Sequence, residues 1–110
     1  MPLSKLAYPY EKFSSALEAL ATSSATLQRR LEVAYLTFNP VKEDDFDDDE
    51  MRSAYREIME SLTKIKDPGR GYVPATLAQM NDEEAEAVAE KIYDLFFEIS
   101  REYHKSLDGA

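Results

Sequence analysis

Residues 47–65 read DDDEMRSAYREIMESLTKI, and this stretch decides the fold class of the chain. Its apolar residues recur at steps of four and three, a spacing that places side chains on one face of an α-helix. These residues are Met51, Tyr55, Ile58, Leu62 and Ile65. The spacing predicts a helix over about 48–65 whose seam, two heptads long, packs against a core.

The acidic residues ahead of this seam predict where the helix begins. Asp47 is expected to accept a backbone N–H of the first turn, and Glu50 to bond back to the Asp47 N–H as a capping box. Phe46 and Met51 would close the start of the helix as a hydrophobic staple. Three carboxylates further upstream have no capping role and are predicted to be free surface charges, available to a basic partner: Glu43, Asp44 and Asp45.

Calcium binding is a second interpretation of the same acidic run. Asp45, Asp47 and Asp49 lie at the first, third and fifth positions of an EF-hand loop. The sixth position is Glu50, where the motif requires Gly, and the twelfth is Arg56, where it requires Glu. The sequence therefore favours helix capping and predicts no metal site.

The remainder of the chain also shows helical spacing, and Gly is scarce, with three residues. Apolar residues at these steps predict further helices at about 9–21, 25–38, 74–80 and 82–105. Ser24 is expected to cap the second of these, and Asn81 with Glu84 to form a capping box at the last. The prediction is an all-α, single-domain bundle of four main helices plus one short helix, spanning 1–110 with flexible ends at 1–8 and 106–110.

Two predicted helices carry apolar residues away from their core faces. Val33 and Leu36 lie opposite the main stripe of the 25–38 helix, which is therefore expected to be central or to contribute a second interface. Tyr93 and Phe97 point away from the core of the 82–105 helix, with Phe97 among charged residues. They are expected either to pack on the first helix or the 67–73 loop, or to form a dimer or partner surface.

Charge and composition exclude several classes of function. A net charge of −9 and a pI near 4.5 repel nucleic acid and anionic membrane. The absence of Cys and the single His remove disulfides, thiol nucleophiles and metal sites rich in Cys or His. No apolar run approaches the roughly 20 residues that span a bilayer, and the first ten residues lack a signal-peptide apolar region. These observations predict a cytoplasmic protein that binds neither membrane nor nucleic acid directly.

The sequence also lacks a convergent set of catalytic groups. His104 stands alone near the end of the last predicted helix, and the Ser and Thr residues at 14–24 mark a helix boundary. Arg101 and His104 are separated by two residues, fewer than in the helical RNases that carry an Arg-to-His motif. The 67–71 loop lacks the spacing and the Lys-Ser/Thr of a phosphate-binding loop. The chain is therefore predicted not to be an enzyme and to use no cofactor.

One segment supports a resemblance. Residues 75–85, ATLAQMNDEEA, precede the amphipathic stretch Ile92-Tyr93-Asp94-Leu95-Phe96. This combination resembles small uncharacterised bacterial proteins that look helical and are encoded in genomes or mobile elements, and the resemblance extends to residues 24–35. It implies a helical fold and no assigned activity, so it transfers no functional residue.

Two functions follow as hypotheses. The first is a non-catalytic protein-interaction module, forming a homodimer or binding a protein partner through Val33, Leu36, Tyr93 and Phe97. The alternative is an acidic inhibitor or nucleic-acid-mimicking decoy that binds a basic protein, such as a nucleic-acid enzyme, through the carboxylates at 43–45. Salt dependence separates them, because exposed charge contacts are screened within about 8 Å at physiological ionic strength.

Overall fold

The computed structural model describes residues 5–108, and over that range it contains five α-helices and no β-strand. The helices are α1 Ala7–Thr22, α2 Leu27–Phe38, α3 Asp49–Leu62, α4 Tyr72–Ala78 and α5 Asp82–Asp108, with a 3-10 turn at Glu43–Asp45. The all-α prediction is confirmed. The chain ends at 1–4 and 109–110, part of the predicted flexible ends, lie outside the described residues.

The predicted capping box at the start of α3 is wrong, and the cap lies one residue later. Asp48, not Asp47, is the cap, because its Oδ1 accepts the backbone N–H groups of Glu50 at 2.8 Å and Met51 at 3.0 Å. Asp47 instead accepts a hydrogen bond from the Lys5 ammonium at 2.8 Å. The Asp47 carboxylate, which the local pattern predicted to cap the helix, therefore forms an ion pair with Lys5 instead.

The start of α2 also differs from the prediction. Thr26 is the cap, with its Oγ1 accepting the Arg29 N–H at 3.2 Å, and Ser24 is not. The Arg30 side chain donates to the carbonyl oxygens of Leu20 and Ala25, which holds the α1–α2 connection in a turn. Those bonds keep Ala25 out of the helix, so α2 begins two residues later than expected.

Helix α3 ends at Leu62 rather than at 65 because a tertiary contact diverts the chain. The Ile65 N–H donates to Thr76 Oγ1 on α4 at 2.9 Å, and Thr76 is buried. Helix α4 then begins at Tyr72, two residues before the predicted start, after Gly71 at φ 101°. This left-handed conformation costs Gly little and other residues more.

The predicted start of α5 is confirmed. Asn81 Oδ1 accepts the Glu84 N–H at 2.7 Å, and the Asn81 N–H donates to Glu84 Oε1 at 3.0 Å. In this reciprocal pair, each residue's side chain accepts the backbone N–H of the other. Because the two residues are only three apart, the local sequence specifies the pair. The helix continues to Asp108, three residues beyond the predicted end.

Helix α5 organises the packing, since α1, α2 and α3 all contact it. It runs antiparallel to α1, because Tyr10 near the start of α1 stacks on Tyr103 at a centroid distance of 4.8 Å. Its 27 residues span about 40 Å at 1.5 Å per residue, close to the 45 Å long axis of the molecule. One long side of the molecule is therefore the outer side of α5.

Aromatic rings fill the core between α1, α2 and α3. Phe13 stacks on Phe38 at 4.7 Å, and the Tyr55 ring packs edge-on to both at 6.1 Å. Phe46, the residue predicted to be part of a staple, is fully buried and lies 5.6 Å from Tyr55. Phe46 therefore anchors the segment before α3 to the core.

No helix among the described residues is both long enough and apolar enough to cross a membrane. The cytoplasmic location expected from the sequence stays a prediction.

Candidate interaction surfaces

The side of α5 turned away from the core is an exposed stripe, here called the α5 outer face. It consists of six exposed residues: Glu86, Glu90, Tyr93, Phe97, Arg101 and His104. The Tyr93 and Phe97 side chains are each 53% exposed, whereas their neighbours Ile92 and Leu95 are buried on the opposite side. Neither ring is buried against α1 or the 67–73 loop. Of the two alternatives expected from the sequence, the one left open is that Tyr93 and Phe97 form a dimer or partner surface.

A smaller apolar surface lies on the outer side of α2. Val33 is 38% exposed and Leu36 is 62% exposed, while Leu31 and Ala34 are fully buried on the inner side. Helix α2 packs against α1, α4 and α5 through that inner side. The nearly all-round apolar pattern of this helix is thus not buried on two sides, and the expected second interface is open.

The acidic segment before α3 is engaged in contacts that the sequence did not predict. Glu43 forms an ion pair with Arg56, and Asp45 Oδ2 accepts the Lys42 N–H at 2.8 Å. The Lys5 ammonium donates to the Asp44 carbonyl oxygen at 3.1 Å. Of the three predicted free charges, only Asp44 keeps an exposed carboxylate with no capping or pairing role among the described residues.

Electrostatic effects in this segment follow from those pairs. The hydrogen bond and charge of Lys5 hold the pKa of the Asp47 carboxyl below its ordinary value of 3.8. The hydrogen bond and charge of Glu43 likewise raise the pKa of the Arg56 guanidinium. Both pairs are exposed, so they position the segment while adding little stability.

A groove of about 420 Å³ lies between α3 and α5. Apolar side chains of Met51, Ala54 and Leu95 line it together with six carboxylates and two cations. Those charged residues are Asp48, Glu50, Glu57, Asp94, Glu98 and Glu102, with Lys91 and Arg101. Both cations are already paired, Lys91 with Glu57 at 2.9 Å and Arg101 with Glu98 at 2.6 Å. The groove therefore presents excess negative charge, and sequence analysis missed it because its walls come from two distant helices.

The hydroxyl of Tyr55, a residue predicted to lie in the core, is a buried polar group whose partner the sequence did not predict. This hydroxyl donates to the Val41 carbonyl oxygen, and the Tyr55 side chain is only 4% exposed. Burial in the aromatic core raises the pKa of this hydroxyl far above its ordinary value of 10.0. The bond fixes the chain at Val41 against α3, so the role of the hydroxyl is structural.

The remaining candidate for chemistry, His104, contacts a carbonyl oxygen and an aromatic ring. His104 Nδ1 lies 2.7 Å from the Ser100 carbonyl oxygen, one helical turn earlier, and its ring meets the Tyr10 ring edge-on at 5.4 Å. Within residues 5–108, no three His, Cys, Asp or Glu side chains are grouped so that they could hold a metal ion. The surfaces described above, rather than a reactive cluster, are what the arrangement offers to another molecule.

Comparisons with protein-family models, with curated proteins and with solved structures found no match for this chain.

Proposed function

We propose that this chain is a non-catalytic protein-interaction module that binds a protein partner or a second copy of itself. The exposed aromatic pair on the α5 outer face carries the proposal. Tyr93 and Phe97 lie one turn apart, half exposed, among Glu90 and Arg101. Aromatic residues and Arg are enriched at protein interfaces, where charged residues form the rim.

A capture experiment with a matched control tests this function. The purified chain is immobilised and exposed to a cell lysate. It is expected to retain its protein partner at high salt, because apolar contacts persist when charges are screened. Phe97→Ser should abolish retention, while Leu107→Ser, at 52% exposure on the same helix but beyond the last residue of this face, should preserve it. Equal retention by both variants would count against the proposal.

The α3–α5 groove supports a second candidate, an acidic inhibitor or decoy for a basic protein. Its carboxylates outnumber its cations, and both cations are already paired within the chain. Such a surface attracts a basic protein, and the attraction weakens as salt rises.

Charge neutralisation separates this candidate from the first. Glu50→Gln with Asp94→Asn should reduce capture of a basic partner at low salt. Glu11→Gln with Glu18→Gln removes the same charge from α1, away from the groove, and serves as the control. A partner that binds equally to both double variants does not use the groove.

We also propose that the four long helices form a single bundle around one core. The stacking of Tyr10 on Tyr103 and of Phe13 on Phe38 supports this arrangement. Nuclear Overhauser contacts between these rings in solution would support the bundle, and their absence in a folded sample would contradict it.

A further inference from the structure

The α5 outer face has the pattern of a surface that binds itself, and we infer that it pairs antiparallel with the same face of a second copy. The two-fold axis passes beside position 95. This inference rests on the proposed function and commits it to one partner, the chain itself.

The residues of this face are arranged in nearly mirror order about position 95, with two pairs placed symmetrically and the third offset by one residue. Tyr93 and Phe97 each lie two residues from it, and Glu86 and His104 each lie nine residues from it. Glu90 lies five residues before it and Arg101 six residues after it. In an antiparallel pair, each of these residues faces its partner on the other copy to within one position.

The two inner pairs join groups that attract each other. Tyr93 of one copy meets Phe97 of the other, and aromatic pairs gain from offset or edge contacts. Glu90 meets Arg101, a carboxylate–guanidinium combination suited to paired hydrogen bonds. Because a two-fold interface repeats each contact, the dimer contains two Tyr93–Phe97 contacts and two Glu90–Arg101 contacts.

The helix geometry fits this arrangement. The six residues are spaced by steps of four and three, which keeps them on one side of α5 over five turns. Helices with such a stripe pack at interaxial distances of about 8–10 Å. Helices α1, α2 and α3 pack on other sides of α5, so the stripe is exposed from Glu86 to Phe97, while at its end Arg101 also lines the α3–α5 groove and the His104 ring contacts Tyr10 of α1.

Charge selects the antiparallel orientation over the parallel one. In a parallel pair, Glu90 would face Glu90 and Arg101 would face Arg101, and both contacts repel. Arg101 already has a local ion pair with Glu98, but both side chains are about half exposed and such pairs are weak. The guanidinium is therefore free to turn toward Glu90 of the second copy at little cost.

The oligomeric state tests the pairing first. Sedimentation equilibrium of the full chain should show a reversible dimer. Phe97→Ser should raise the dissociation constant of this dimer by at least about tenfold. Leu107→Ser, equally exposed but beyond the end of the face and far from the axis, should dimerise as the wild type does. Circular dichroism checks that both variants keep the helical content of the wild type. A dimer that is insensitive to Phe97→Ser overturns the inference.

A charge swap then tests the orientation. Glu90→Lys alone and Arg101→Glu alone should each weaken the dimer, because each creates like-charge contacts. The double variant Glu90→Lys/Arg101→Glu should restore it, because the new ammonium at position 90 then faces the new carboxylate at position 101 on both sides of the axis. A parallel dimer would respond to neither single change, and a double variant weaker than both singles would overturn the antiparallel pairing.

The outcomes distinguish this inference from the broader function. A chain that is monomeric at all concentrations, yet captures a partner through Phe97, overturns the self-pairing and supports the interaction module. A monomer whose capture does not depend on Phe97 overturns both.

Discussion

Asp48 holds the start of α3 through a single carboxylate oxygen. That oxygen accepts two backbone N–H groups of the first turn, which otherwise lack partners within the helix. Its neighbour Asp47 is directed away, toward Lys5 on the segment before α1. Two adjacent residues of the same type therefore have different roles, one within a helix and one between distant segments.

This difference predicts unequal effects of the two alanine substitutions. Asp48→Ala should lower the free energy of unfolding by about 0.5–2 kcal/mol, as loss of a helix cap does. Asp47→Ala is the matched control and should change it little, because its ion pair is exposed. Urea denaturation followed by circular dichroism measures both. A larger loss for Asp47→Ala than for Asp48→Ala would show that Asp47 is the helix cap.

The Asp47–Lys5 pair predicts a titration effect. Since the folded-state pKa of Asp47 is depressed, the pair stabilises the fold above the unfolded pKa and loses this effect as pH falls through the folded pKa. Lys5→Met should raise the Asp47 pKa toward its ordinary value. Carbon-detected NMR titration of the carboxyl checks this, and an unchanged pKa would show that Lys5 is not its partner in solution.

The Tyr55 hydroxyl predicts a cost for removing one oxygen atom. Tyr55→Phe keeps the ring in the aromatic core but leaves the Val41 carbonyl oxygen without its donor. The free energy of unfolding should fall by about 1–3 kcal/mol, the cost of an unsatisfied buried group. Tyr93→Phe, which removes an exposed hydroxyl, should have little effect in the same measurement. Equal effects would contradict the buried bond.

At the scale of the element, one face of α5 is buried in the core and the opposite face is exposed. Ile92 and Ile99 are fully buried, while Tyr93 and Phe97 are half exposed. The sequence predicted this division because a helix turns about 100° per residue, so adjacent residues lie on different sides. The start of α5 was also predictable, since Asn81 and Glu84 form a capping box without help from other segments.

Adjacent residues of α5 should therefore differ in their contribution to stability. Ile92→Ala should cost about 2–5 kcal/mol through lost burial and the cavity left behind. Tyr93→Ala should change the monomer's stability by no more than about 0.5 kcal/mol, as surface substitutions usually do. Thermal unfolding at low protein concentration, where dimers dissociate, separates the two. Similar losses for both would place Tyr93 in the core.

The boundaries of α2 and α3 were not predictable from local pattern. Arg30 holds the turn before α2 through carbonyl oxygens of Leu20 and Ala25. Thr76 draws the Ile65 N–H out of α3. Both contacts join separate elements of the fold, so no cap or periodicity near the boundary could reveal them.

The whole molecule carries a net charge of −9 on a body 45 × 28 × 19 Å in extent. Each of its ion pairs within residues 5–108 has at least one exposed side chain, and the α3–α5 groove concentrates further carboxylates. Self-repulsion of this kind opposes the compact state, and salt screens it.

Added salt should therefore raise the melting temperature. Sodium chloride is expected to increase it steadily from low to physiological ionic strength, because general repulsion outweighs the few exposed ion pairs. Calcium and magnesium chloride at equal ionic strength should give equal shifts. A larger shift with calcium alone would indicate specific binding, by linkage to the folded state, and would contradict the capping role of the acidic run.

The sequence by itself determined that the chain is helical, where α5 begins, and that Met51, Tyr55, Ile58 and Leu62 of α3 are buried. These properties depend on helical spacing and on bonds between residues three or four apart, so they can be recognised in a single segment. Only the tertiary structure decided that Asp47 pairs with Lys5, that Tyr55 holds Val41, and that α3 and α5 enclose an acidic groove. Each of these needs residues far apart in the chain to meet, and that meeting depends on how the helices pack.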